Sequence, residues 1–199
     1  MEPSTPRRSL QGRPATTSHA EIEAAAFQLF AERGFEGTTM EAIAAEVGVG
    51  RRTLFRYFES KNDIPWGQFG RTLDSFRVLL AAMPTDLPLR EAVHRGVVAF
   101  NMHNEDGVPS HRDRMRLILE TPTLQAHSVL RYAEWRGVVA DFVAERRGLE
   151  PTDTLPEVVS QVSLALALSA YTLWLHSPGP TLHERLDQAL AGLQSYLVD

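Results

Sequence analysis

Thr38-Thr39-Met40-Glu41-Ala42-Ile43-Ala44-Ala45-Glu46-Val47-Gly48-Val49-Gly50-Arg51-Arg52-Thr53-Leu54-Phe55-Arg56-Tyr57-Phe58 reads as two short helices joined by a glycine turn. Ile43 and Ala44 on the first helix and Leu54 and Phe58 on the second carry the apolar contacts that set their crossing angle. Ala45 is small where the two helices approach, and Gly48 supplies the left-handed conformation that a tight turn needs. Upstream, Ile22, Ala26, Leu29 and Phe30 recur at helical spacing, so a third helix precedes the pair. Three helices in these proportions make a helix-turn-helix headpiece.

Beyond this stretch, helix starts are written as a hydroxyl residue followed three positions later by an acid that bonds back to the cap. Ser18 with Glu21, Thr38 with Glu41, Thr154 with Glu157 and Thr181 with Glu184 fit, as more weakly does Ser60 with Asp63. Thr121 is followed by Pro122, which a first helical turn tolerates. The resulting map has helices at 19–33, 39–46, 50–57, 61–82, 88–104, 110–120, 122–147, 155–176 and 181–198, and no strand. The expected fold is all-α: a flexible arm at 1–17, a three-helix headpiece with helix-turn-helix at 18–62 and a C-terminal helical domain at 63–199.

Composition excludes several classes. There is no cysteine, which removes disulfides, thiolate metal sites and cysteine nucleophiles and suits a reducing cytoplasm. The first twenty residues lack the apolar run of a signal peptide. The apolar stretch from Val158 to Leu175 is interrupted by Ser160, Gln161, Ser163, Ser169 and Thr172, so a buried bundle helix is expected there and no membrane span. No phosphate-binding glycine loop, nucleophile elbow or paired-histidine zinc helix is present, which argues against an enzyme. His103-Asn104-Glu105-Asp106 with His111 reads as a solvated loop tip, and neither metal nor cofactor is expected.

The net charge of -5 is unevenly distributed. Arg7, Arg8 and Arg13 stand against Glu2 alone, and Arg51, Arg52, Arg56 and Lys61 against Glu59 alone, whereas from residue 63 onward 12 arginines face 17 acids. Positive charge therefore gathers on the arm and on the third helix. Arg51, Arg52, Thr53, Arg56 and Tyr57 share the face of that helix opposite Leu54 and Phe58, which suits insertion into the major groove of double-stranded operator DNA. Arg51 and Arg52, at its N-terminal end, are placed for base edges, while Thr39, Tyr57 and Lys61 are placed for phosphates.

Phe30-Ala31-Glu32-Arg33-Gly34-Phe35-Glu36-Gly37-Thr38-Thr39, Ile43-Ala44 and the run from Gly48 to Lys61 resemble the TetR/AcrR repressor family. Phe55 stands where that family often has tyrosine, and Gly50 where it often has serine, so a phenolic phosphate contact and a strong helix cap are lost. The run Asn62-Asp63-Ile64-Pro65-Trp66-Gly67 narrows the resemblance to regulators encoded with mycofactocin biosynthesis genes. The family resemblance implies a homodimer joined by its last two helices, with an effector cavity in each body. The narrower one implies a long-chain acyl-CoA effector.

On the last two helices, Val162, Leu166, Leu173, Leu186, Leu190 and Leu193 are the expected interface residues, forming a four-helix contact between two-fold mates. For the effector, the apolar and aromatic residues of the middle helices are Phe76, Leu80, Phe100, Leu117, Leu124, Trp135, Val139, Phe142, Tyr171 and Trp174. His94, His103, His111, Arg112, Arg116, Arg131 and Arg136 lie near enough to meet an anionic headgroup. Helix 61–82, running from headpiece into body, is the expected lever, and helix 110–120 the element moving against it. The competing reading is a helical interaction adaptor whose headpiece is only a packing module, which operator binding would exclude.

Overall fold

A computed structural model describes residues 17–102 and 107–198. Among these every regular element is helical, in two compact units that divide between Ile64 and Pro65. The arm up to residue 16 and the tip from His103 to Asp106, with the roles considered for them, lie outside the described residues.

The first unit contains α1 (His19–Arg33), α2 (Met40–Val47) and α3 (Arg51–Leu54). A complete capping box opens α1: Glu21 N–H donates to Ser18 Oγ at 3.2 Å, and Ser18 N–H donates to Glu21 Oε2 at 2.8 Å. Ser18 N–H, joined by the Ser18 and Thr17 hydroxyls, donates to the Glu21 carboxylate and holds it below the usual carboxylate range. The second helix departs from the expected box, because Thr39 and not Thr38 is its N-cap, accepting from Ala42 N–H at 3.2 Å. Thr38 is instead buried and donates to Gly34 O at 2.9 Å, tying down the end of α1. Gly48 closes α2 in the left-handed conformation at φ 75°. Ile22, Ala26, Leu29, Phe30, Ile43, Ala44, Leu54 and Phe58 are all buried in this unit. Ala45 is exposed, so Ala44 alone is the small residue of the contact.

The third helix is shorter than expected. Gly50 offers no side-chain cap, and beyond Leu54 the chain tightens through Arg56 N–H to Thr53 O and Tyr57 N–H to Leu54 O, at 3.1 and 3.0 Å. Nor is 61–82 one continuous helix. Residues Lys61–Trp66 form a 3-10 helix, Gly67 turns at φ 56°, and α4 spans Phe69–Ala81. Pro65, inside the 3-10 segment, lacks the amide hydrogen that an α-helical ladder would need, and the positive φ of Gly67 then redirects the chain. The single lever helix expected over 61–82 is therefore two separate elements.

The second unit adds α5 (Leu89–Phe100), α6 (His111–Glu120), α7 (Pro122–Arg147), α8 (Thr154–His176) and α9 (Leu182–Val198). Its core joins Leu73, Phe76 and Leu80 of α4 to Trp135, Val139 and Phe142 of α7 and to Tyr171 and Trp174 of α8. Phe76 stacks on Trp135 at 5.7 Å with Phe100 beside both. Gly96 of α5 leaves the room that Leu80 occupies, since a Cβ there would stand 2.4 Å from Leu80 Cδ2. Arg146 binds the α4–α5 connection by donating to the carbonyls of Pro84 at 2.9 Å and Leu87 at 2.6 Å.

The eighth helix is long and apolar enough to cross a membrane, but one of its stripes is spent on the core. Ser160, Ser163, Ala167, Ala170, Tyr171 and Trp174 are buried, small where α7 packs closely and aromatic toward the centre. Replacing Trp135 with alanine removes a side chain that is 4% exposed, stacked on Phe76 and edge-on to Phe100. The expected cost is about 3–5 kcal/mol in a urea unfolding curve followed by far-UV circular dichroism. A loss under 1 kcal/mol would show that this core is loosely packed.

Candidate functional site

The outer face of the headpiece is formed by the entry of α2 and by α3. Arg51, Arg52 and Arg56 are exposed there, with Thr53 partly buried and Thr39 exposed at the α2 cap. The Thr39 hydroxyl oxygen accepts from its helix, which leaves its hydrogen to donate outward. Arg52 and Arg56 make no ion pair among the described residues, whereas Arg51 forms an ion pair with Glu41, Nε to Oε1 at 3.0 Å, and lies over Phe55, 5.3 Å from the ring centre.

Two residues expected to reach phosphates are committed elsewhere. Tyr57 turns inward and donates to Thr17 O at 2.6 Å, with His19 packed edge-on against its ring at 4.9 Å. Lys61 Nζ donates to Phe35 O at 2.7 Å and Thr38 O at 2.9 Å and sits 4.3 Å from the Phe35 ring centre. The chain's single lysine thus neutralises carbonyls in the α1–α2 connection, which fixes the entry of α2. Sequence reading missed both ties, because their partners lie 40 and 26 positions away.

In the second unit most of the expected effector residues come together. Phe76, Leu80, Trp135, Val139, Phe142, Tyr171 and Trp174 belong to one cluster, with Phe100 packed against it. Leu117 and Leu124 stand outside that cluster, and from α6 Met115 and Leu119 pack on it instead. The helical phase is two residues off because α6 presents 115, 118 and 119 inward, Ile118 being buried.

A polar seam crosses this apolar core. Tyr171 O–H donates to Asn101 Oδ1 at 2.6 Å, and Asn101 Nδ2 donates to Val97 O at 2.7 Å. His111 Nε2 lies 2.8 Å from Tyr171 Oη, and since the phenol hydrogen is already given to Asn101, the imidazole is the donor. Burial, with Tyr132 adding to it, pushes the Tyr171 phenol far above its usual range, so it stays protonated. Arg112 stacks on Trp174 at 4.0 Å and donates to Trp174 O at 2.9 Å. On the same helix, Arg114 donates to Pro65 O at 2.7 Å. Asn101 and Arg114 were not anticipated. A lone amide at the end of the apolar α5 stripe was the only available signal.

The remaining candidate cations are spread over the surface: His94 meets Asp187 at 2.7 Å, Arg116 meets Asp113 at 3.9 Å, Arg131 meets Glu134 at 3.3 Å and Arg136 donates to Gln161 at 2.7 Å. Of the expected interface residues, Leu186 is buried in its own subunit's core. Val162, Leu166, Leu190 and Leu193 are partly exposed and Leu173 is exposed.

Residues 22–64 match the bacterial regulatory proteins of the tetR family, and residues 87–198 match the MftR C-terminal domain. The chain belongs to the TetR family. It is accordingly a transcriptional regulator of that family. A Mycobacterium tuberculosis protein assigned as the mycofactocin biosynthesis transcriptional regulator MftR is 44% identical over 92% of this chain and 93% of its own. The Streptomyces glaucescens regulator TcmR is 34% identical over 64% of this chain and 59% of its own. In architecture, Thermus thermophilus FadR, a TetR-family repressor solved with lauroyl-CoA, superposes with a TM-score of 0.56 at 22% identity, covering 89% of this chain and 93% of that one. SmeT, solved with triclosan, also reaches 0.56 at 22% identity, covering 87% and 90%.

The inward position of Lys61 separates two roles by experiment. Lys61→Met removes two charge-assisted bonds and is expected to destabilise the headpiece by about 1.5–3 kcal/mol. The salt dependence of DNA binding should stay at its wild-type slope, whereas a phosphate contact would lower its magnitude by about 1.

Proposed function

We propose that this regulator is a homodimeric cytoplasmic repressor, held on operator DNA by Thr39, Arg51, Arg52, Thr53 and Arg56 and released by a long-chain acyl-CoA. The observation that carries the effector reading is the polar seam His111–Tyr171–Asn101 inside an otherwise apolar aromatic core. An acyl chain suits walls of Phe76, Phe100, Trp135 and Phe142, and its thioester carbonyl suits the imidazole N–H of His111 by taking the place of Tyr171 Oη as acceptor. The resemblance to regulators encoded with mycofactocin biosynthesis genes and the lauroyl-CoA bound by the FadR neighbour favour the same ligand class.

Dimerisation is supported by the second stripe of α8. Leu155, Val158, Val162, Ala165, Leu166, Ser169 and Leu173 recur at helical spacing and are exposed or partly exposed in the single chain. Leu190 and Leu193 of α9 extend the same apolar character. A second copy is the natural cover, since a two-fold pairing of α8 and α9 brings like stripes together. Paired headpieces about 34–36 Å apart would meet successive major grooves.

Signal transfer then runs through α6. The helix holds Tyr171 through His111 and the Pro65 carbonyl through Arg114, so a ligand that displaces His111 shifts the residue at which the second unit begins. Release requires that the effector bind the altered dimer shape more tightly than the DNA-bound one.

Fluorescence anisotropy on DNA from the protein's own upstream region, with oleoyl-CoA, with CoA alone and at two salt concentrations, tests this reading. Salt-sensitive selective binding abolished by oleoyl-CoA alone is expected. Binding indifferent to the acyl-CoA removes that ligand and leaves the repressor, and absence of selective binding removes the repressor. Leu173→Glu should sediment as a monomer and lose operator affinity on the order of 100-fold or more, because the second half-site is no longer tethered.

A further inference from the structure

The acid three positions after Thr38 does not serve the helix cap. Thr39 caps α2 alone, and Glu41, freed of that duty, reaches across the turn to Arg51 Nε at 3.0 Å. The carboxylate approaches the guanidinium from the Nε side, away from its far end, where the terminal N–H groups point to solvent-accessible space. The two terminal nitrogens form the end-on fork that matches the O6 and N7 acceptors of guanine. The Phe55 ring under the guanidinium, 5.3 Å from its centre, restricts the remaining rotation.

We propose that Glu41 is a positioning residue for sequence recognition: it holds Arg51 so that the end of its guanidinium reads a guanine in the major groove. This rests on the operator-binding reading of the headpiece. An exposed ion pair, with side chains 65% and 56% accessible, contributes little to folding. Its consequence is therefore expected in discrimination between sequences. Without Glu41, the long arginine side chain regains its rotamers and bonds to whichever phosphate or base lies nearest, which raises affinity for DNA of any sequence. The carboxylate also repels the phosphate backbone, so its loss weakens selectivity twice over.

The test begins with an operator obtained by selection from random duplexes, in which each G·C pair is replaced singly. Arg51→Ala identifies the pair that Arg51 reads. At that pair, Glu41→Gln should lower the preference for guanine roughly tenfold, while binding to unrelated duplex rises and its salt slope steepens by up to about 1. Glu41→Asp keeps the charge but falls one methylene short. It should lose the same discrimination without the rise in unspecific affinity. In the Arg51→Ala background, Glu41→Gln should leave discrimination unchanged, and all variants should melt at the wild-type temperature. A Glu41→Gln protein that keeps the full preference at the pair lost in Arg51→Ala overturns the positioning role. A wild type that selects no sequence overturns the operator-binding reading, and the role of Glu41 with it.

Discussion

A helix of one turn does not hold itself together in water, because nucleation costs more than a single turn returns. The third helix, Arg51–Leu54, is in that position, and Gly50 denies it a side-chain cap. Its geometry is imposed by burial of Leu54 and Phe58 against Ile43 and Ala44, every one of which is sheltered from solvent. The rest of the headpiece serves that constraint. Thr38 and Lys61 fix the approach to α2, Tyr57 ties the residues after α3 to Thr17, and the box at Ser18 starts the helix on which they all pack. Three arginines are thereby presented on a surface too short to order them by itself.

Such a division of labour explains what could be read from the sequence and what could not. Periodicity located nearly every helix and its buried stripe, since burying an apolar face leaves a 3.6-residue signature. It could not decide between Thr38 and Thr39, which are adjacent hydroxyls with different fates, one in the core and one at the cap. Charge position suggested that Lys61 faced outward, yet an ammonium with two carbonyls within reach satisfies itself inward. Pro65 and Gly67 were visible as residues, but a strong apolar pattern on either side masked the break they cause. Asn101 and Tyr171 are 70 positions apart, and nothing local encodes their hydrogen bond.

The eighth helix shows how one sequence serves two partners. Serines and alanines face α7, where small side chains allow the axes to approach, and the hydroxyl of Ser160 is satisfied by Glu157 O at 2.9 Å within the helix. Leu155, Val158, Val162, Leu166 and Leu173 take the opposite side, exposed or partly exposed among the described residues. A surface stripe of that length is costly to leave in water. Leu186 and Leu173 look equivalent by composition, but only their neighbours decide that the first closes the subunit and the second faces outward.

The break at Pro65 alters how a signal can travel in the proposed switch. A continuous helix would transmit rotation along its axis, whereas a 3-10 segment followed by a positive-φ glycine interrupts that axis. What remains is a point contact: the Pro65 carbonyl held by Arg114 from α6, the helix that also carries His111 and Arg112 against Tyr171 and Trp174. Hydrogen bonds of this kind are directional, and a shift of α6 by a fraction of a helical turn breaks or remakes them without unfolding either unit. Coupling through such a latch is a matter of which of two arrangements the ligand prefers, and its strength is bounded by the ligand's differential affinity for them.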